Sequence, residues 1–351
     1  MPWDVSGSDH VFVEPVSGAA GWPLITGYDP MNGRDLIDFY PNVPVLTLPL
    51  GRATYVVPGT MSWWPQAMGV LGKETLRFIV ISEPVGLEPA IDDYTGPVME
   101  AARKSSYTNG DPARLLHLSP DGVGALQPAK YYQALATNFY IDHRPPHRAD
   151  SLRKYLQGHP QALEELRVSR LVNHLGVVCM VESADGMLVA LNRSDAVAFR
   201  QNTLSASASG MVDFVTDVRP WPSGGLDLAT LAHSAFRETI EELQVQVTGL
   251  RFLGLLREFL RGGKPEMYFY ARSPLSFRSM EEHRQTARGR SESRSILGFE
   301  LHSDRLSNDP ASRLPFEKRV QDIIEESTDW ADFTFVAGCL LAARHLMAGV
   351  A

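Results

Sequence analysis

Arg237, Glu238, Glu241 and Glu242, within the stretch RETIEELQV, are the residues of this 351-residue chain whose types and spacing point most directly to chemistry. On an ideal helix, at about 100° per residue, Glu238 set at 0° puts Glu241 near 300° and Glu242 near 40°, so three carboxylates share one arc. Ala232, Leu243, Phe236 and Ile240 fall at about 120° to 200° on the same wheel, an apolar stripe facing nearly the other way. Like charges on adjacent turns repel, and a divalent cation relieves that repulsion. Hard cations such as Mg²⁺ and Mn²⁺ take oxygen ligands and keep waters, which suits bridging between carboxylates and phosphates. Such a cation neutralises phosphate charge and lowers the pKa of an attacking water. The competing account is a solvated acidic helix face.

The order Arg-Glu-x-x-Glu-Glu resembles the second half of the signature of the Nudix hydrolase superfamily, matched here at Arg237, Glu238, Glu241, Glu242 and Val245. The resemblance implies hydrolysis of a diphosphate linkage in a nucleoside diphosphate joined to another moiety, with Mg²⁺ or Mn²⁺ as cofactor. Glu238, Glu241 and Glu242 would be the metal ligands, Glu238 and Glu241 would also be catalytic, and Arg237 would orient a neighbouring glutamate. Two departures stand out. Gly210 lies 27 positions before Arg237, about 13 more than the signature has, and Ala229 stands where it places a glutamate. Gln244 replaces the glycine that ordinarily ends the helix, which suggests a differently shaped exit.

A narrower similarity runs through YYQALATNFY, HLGVVCMVESADGMLVALNRSDAVAF and SGMVDF, an order that resembles UDP-glucose and UDP-galactose diphosphatases of the superfamily. It implies a UDP-sugar-like substrate, giving a nucleoside monophosphate and a sugar phosphate. Glu292, in the loop GRSESRS, would then assist the metal or the water, and Arg193, Gly210, Tyr132 and Asn138 would touch substrate. Arg284, Arg288, Arg290 and Arg294 are donors suited to phosphate oxygens, although most loop arginines are simply solvated. Trp63 and Trp64 have faces that stack on bases, but core packing suits them better. His174, beside an apolar strand, reads as a buried histidine without a role.

The elements that must position these residues are legible in outline. Residues 1–150 carry short β-like runs broken by Pro and Gly (VPVLTLPLGRATYVVPG, LRFIVISEP, ARLLHLSP) and read as a β-rich module that could recognise substrate. Pro145 and Pro146 mark a connector, followed by SLRKYLQGHPQALEELRVSRLVNH as one or two helices interrupted at Gly158 and Pro160. From Leu175, two apolar strands join through Ala184-Asp185-Gly186, a tight hairpin. TLSASASGMVDFVTDV reads as strand, with a Ser-Gly turn at Ser209-Gly210 in the family pattern. A helix is expected over about 227–245, strands at TGLRFLGLLREF and KPEMYFYARS, an arginine-rich loop over 278–295, and helix over 315–347 with a break near Ser327 to Asp329. The fold class expected is α/β (α+β): a Nudix-type αβα sandwich with a mixed sheet in residues 151–351, plus the N-terminal β-rich domain 1–150.

Composition narrows the classes further. A net charge of −8 disfavours a broad grip on nucleic acid or on an anionic membrane. Cys179 and Cys339 lie 160 positions apart, so neither a disulfide framework nor a zinc site is expected. No basic-then-apolar leader and no apolar run of spanning length is visible, so a cytoplasmic protein is expected. The expected partner is a small nucleotide, and the resemblance leaves a homodimer open. The alternative function is a non-catalytic Nudix-fold module that binds or senses a nucleotide, favoured by Ala229 and the expanded segment.

Overall fold

The computed structural model describes residues 10–13, 25, 28, 30–64, 76–105, 107–158, 162–195, 197, 201–220, 226–307, 309–327 and 331–349. The fold is α+β, with mixed sheets and helices. Its centre is an eight-stranded sheet in which strand Gly176–Glu182 runs parallel to Lys264–Arg272 and antiparallel to Met187–Arg193 and Ala208–Met211. Thr248–Glu258 extends the sheet from Lys264–Arg272, while Ser293–Glu300 and Leu204–Ser205 pair with Met187–Arg193.

Period-two alternation explains why both faces of this sheet are covered. Val177, Cys179 and Val181 point with Phe269 and Leu255 into one core, shared with Leu231, Ala235 and Leu243 of the helix Leu228–Leu243. Val178 and Met180 point with Tyr268 and Leu256 into a second core, closed by Phe316 and Ile323 of helix Pro310–Ser327 and by Phe335 and Leu340 of helix Phe333–Gly349. Helices therefore flank the sheet on both sides. Both cysteines are free and buried, and burial pushes the Cys179 thiol up to about 12.

The hairpin at Asp185-Gly186 forms as expected, with Gly186 at φ +83 and Val181 opposite Val189. Helices 310–327 and 333–349 match the expected tail; the expected break falls partly on 328–330, outside the described residues, as do Pro160 and part of the RPWPSGG loop.

Several segments depart from expectation. Of the one or two helices expected after the connector one forms, Leu152–Gln157, ending at Gly158 as expected, and none follows over 162–174. Side chains there take the backbone groups a helix would use: Glu164 accepts from the Arg170 N–H at 3.1 Å, and Arg114 donates to the Ser169 carbonyl at 2.7 Å. Ser209 and Gly210 lie in a strand against Val178 and Val177, not in a turn. The strand reading of DFVTDV fails as well, because Asp213 accepts from the N–H groups of Val215 and Thr216 and starts a π-helical turn, Phe214–Val218. The expected loop 278–295 is mostly ordered structure: helix Phe277–Arg284 capped by Ser276, a 3₁₀ segment Arg288–Glu292, and the start of strand Ser293–Glu300. Its polarity misled because Arg284 is buried and donates to Ser293 and to the Arg290 carbonyl.

Residues 10–150 hold the expected strands, among them Leu46–Leu50, Ala53–Val57, Arg77–Val80 and Ala113–Leu118, together with an unanticipated helix, Asp92–Lys104. Two backbone ladders cross the division expected at residue 150. Strand Gly59–Trp63 adds to Thr248–Glu258 in the central sheet, and Leu226–Asp227 pairs with Phe78 and Arg77.

Candidate functional site

Helix Leu228–Leu243 begins where Asp227 accepts from the Thr230 N–H at 2.8 Å, a side-chain N-cap. It ends at Gln244, which takes the left-handed conformation (φ 57, ψ 36) that glycine would supply, so the exit keeps its ordinary shape despite the substitution. The buried face is rotated from the one expected. Ile240 is 40% exposed and Phe236 half-buried, whereas Glu238 and Glu242 are buried against the sheet with Leu231, Ala235 and Leu243. The three glutamates thus straddle the edge of the packing face instead of opposing it. The reason lies in strand Ala208–Met211, where Gly210 leaves room: a Cβ there would occupy the space of the Glu238 carboxylate. Gly210 serves by absence of a side chain, beneath a glutamate, and it also lines the larger pocket described below.

Arg237 sits among acids. Its Nη1 is 2.9 Å from Glu238 Oε1 and 3.4 Å from Glu241 Oε2, and its Nη2 donates to the Met211 carbonyl at 2.9 Å and to Asp217 Oδ2 at 3.0 Å. Asp217 escaped the sequence reading, being an acid in what looked like strand. Among the described residues Glu242 has no such cation in contact; its Oε2 accepts from the Ser209 N–H at 2.9 Å. Burial, aided by Glu241 and Glu292, pushes the Glu238 carboxyl up to about 7 despite Arg237. Burial and the neighbouring Glu238 and Glu292 push Glu242 well above the usual carboxylate range, with Arg193 and the Ser209 N–H opposing. Asp217 is held below its ordinary value because Arg237, the Asp213 N–H and Ser234 outweigh its burial.

Glu238, Glu241, Glu242, Arg288, Gly289 and Glu292 line one cleft of about 260 Å³. Glu292 also lines a neighbouring pocket of about 440 Å³, whose walls include Arg193, Ser209, Gly210 and Lys264, with Tyr107 and Tyr131 from the N-terminal part. The two expected N-terminal contacts lie elsewhere. Asn138 is fully buried and tied to Asn173 and the Arg261 carbonyl, a clamp between segments, and the Tyr132 hydroxyl donates to the Tyr107 carbonyl at 2.5 Å. It is the adjacent Tyr131 that reaches the pocket, its hydroxyl raised to about 12, chiefly by burial. Among the loop arginines only Arg288 lines the cleft, whereas Arg284 and Arg290 bond to local carbonyls and Arg294 faces Asp195 at 3.5 Å. Trp63 is core, packed on Phe252, and Trp64 lies beneath Arg344. His174 is buried, stacked on Phe139, and held neutral by burial and the nearby Lys264 and Arg261.

Among the described residues no group of three or more His, Cys, Asp or Glu side chains stands in an arrangement that could hold a metal ion. Arg237 supplies the positive charge between Glu238 and Glu241, and Glu242 turns to Ser209. The donor chemistry nevertheless suits a hard cation: carboxylate oxygens in one cleft, two of them disfavoured as anions chiefly by burial and by the neighbouring glutamates.

No family model matches the chain, and no curated protein matches it. Among solved structures it is similar to the crystal structure of DR0079 from Deinococcus radiodurans, at 14% identity and a TM-score of 0.27, over 48% of this chain and 82% of that one. A superposition that loose carries no argument about fold or chemistry.

Proposed function

We propose that this chain is a Mg²⁺- or Mn²⁺-dependent Nudix-type hydrolase of a diphosphate linkage in a nucleotide derivative, with UDP-sugar-like substrates favoured. The observation that carries the reading is the single cleft in which Glu238, Glu241, Glu242 and Glu292 converge beside a braced arginine. Glu238, Glu241 and Glu242 would hold the cation, which when bound supplies charge neutralisation on the diphosphate and acidifies the attacking water. Arg237 orients Glu238 and Glu241 through charge-assisted contacts. Arg288 at the cleft and Arg193 in the adjoining pocket offer guanidinium donors to phosphate oxygens. Glu292, exposed and lining both cavities, would accept a proton from water. Water adds across the P–O–P bridge, giving a nucleoside monophosphate and a phosphorylated second product. The larger pocket, partly walled by N-terminal residues, accommodates the rest of the substrate.

The test is a panel of nucleotide-sugars, dinucleotides and ADP-ribose incubated with Mg²⁺ or Mn²⁺, with products resolved by ion exchange. Glu241 is half-exposed, so Glu241→Gln should fold normally yet lose at least about a hundredfold in turnover, more than outer-sphere changes cost. Full activity in that variant would sink the proposal. That Arg237 already pairs with Glu238 and Glu241 favours a second reading, a nucleotide-binding module without turnover. Tight nucleotide binding with no product over hours, metal present, would select it.

A further inference from the structure

The expanded segment ahead of the helix Leu228–Leu243 brings in a carboxylate with no counterpart in the matched motif. Asp217, on the turn Phe214–Val218, has a side chain only 7% exposed. Its Oδ2 accepts from Arg237 Nη2 at 3.0 Å, from Ser234 Oγ at 2.8 Å and from the Asp213 N–H at 2.9 Å. Its Oδ1 faces Arg237 Nε at 3.4 Å and Thr216 Oγ1 at 3.2 Å. The Met211 carbonyl takes a further Arg237 N–H on the same side. Arg237 is therefore gripped from the sheet side, while its remaining Nη1 faces Glu238 and Glu241. Without that grip the guanidinium would be free to collapse fully onto the two glutamates as their counter-ion. Position 229, where the motif expects a glutamate, lies about 12 Å along the helix axis from Arg237, at 1.5 Å per residue. A carboxylate there could not brace the arginine within this helix, and Ala229 is accordingly no loss.

We infer that Asp217 is a positioning residue, which anchors Arg237 and so fixes the spacing and direction of Glu238 and Glu241 for a divalent cation. The expanded segment is in this sense the replacement for the missing upstream half of the motif. The inference rests on the proposed function, because it concerns how the same carboxylates are held.

The experiment titrates Mn²⁺ alone into the full chain by calorimetry, for wild type, Asp217→Asn, Asp217→Ser and Ser234→Ala, with thermal melts and steady-state kinetics alongside. Asn keeps the shape of the carboxylate and Ser keeps a hydroxyl, so the second variant serves if the first does not fold. The Asp217 variants should bind Mn²⁺ about 10- to 100-fold more weakly, as loss of outer-sphere partners does, and lose more in kcat than in KM. Ser234→Ala removes one hydrogen bond and no charge, and should lower the melting temperature while leaving Mn²⁺ affinity intact. Wild-type Mn²⁺ affinity in a folded Asp217 variant, with only the melt lowered, would overturn the inference and leave the proposed function standing. A wild-type chain that neither binds Mn²⁺ nor hydrolyses any of the panel takes down the function itself, and this inference with it.

Discussion

Glu242 sits in surroundings that suit a carboxylate poorly. It is buried, its carboxyl is pushed well up, and a single backbone N–H answers it directly. Burying an under-compensated carboxylate costs stability, so Glu242→Gln, which keeps an acceptor for Ser209, should raise the metal-free melting temperature by about 1 to 2 °C, the shift expected for roughly 1 kcal/mol in a chain of this length. The same change should lower turnover; a variant neither more stable nor less active would show the carboxylate to be idle. Gly210 makes a complementary case. Gly210→Ala would push the Glu238 carboxylate aside, and the expected outcome is weaker Mn²⁺ binding in a chain that still folds, checked by calorimetry and circular dichroism. The sequence pattern located Arg237 and the three glutamates because their spacing is local, a property of one helix. It could not locate Asp217, whose contact with Arg237 spans 20 positions, nor tell Tyr131 from Tyr132, because which neighbour faces a pocket depends on how a turn is docked.

At the level of elements, the helix Leu228–Leu243 was readable in type and extent, but its rotation was not. A wheel ranks faces by polarity, and here buried glutamates lie on the packing face because a glycine-containing strand passes beneath them. Its exit offers a test: Gln244 sits at φ 57, where a side chain costs free energy and glycine does not. Gln244→Gly should therefore stabilise the chain by about 0.5 to 1 kcal/mol, read as an increased denaturant midpoint at unchanged slope. In the helix Phe333–Gly349, burial, with Arg251 adding to it, lowers His345 from 6.5 to about 4. The folded chain thus refuses a proton that the unfolded chain binds, and stability from this group is lost as pH falls from about 6.5 to 4. Glu238, raised from 4.5 to about 7, works in the opposite sense over about pH 7 to 4.5, gaining stability as pH falls. Comparing His345→Leu with wild type separates the two: the variant's relative stability should climb by up to about 3 kcal/mol between pH 6.5 and 4. A gap that does not change with pH would rule His345 out as the source.

For the whole molecule, the two-part division suggested by Pro145 and Pro146 meets a sheet that draws strands from both parts. Strand Gly59–Trp63 covers the edge of Thr248–Glu258, and Leu46, Leu48 and Tyr55 belong to the core closed by the C-terminal helices. A chain of residues 151–351 alone would expose that edge and part of that core, and it should lack the cooperative melt of the full chain and aggregate, as light scattering would reveal. Strand pairing across some 190 positions has no local signature, which is why the overall class was legible and the sharing of one sheet was not. The described helices include none long and apolar enough to cross a membrane.

Glu292 borders both cavities, the small acidic cleft and the larger pocket reached by the N-terminal tyrosines. One carboxylate facing two compartments makes their occupancies interdependent: whatever attracts it toward one side withdraws an acceptor from the other. Thermodynamic linkage then requires reciprocity, so the factor by which a cation in the cleft alters affinity for a molecule in the pocket is the factor by which that molecule alters affinity for the cation.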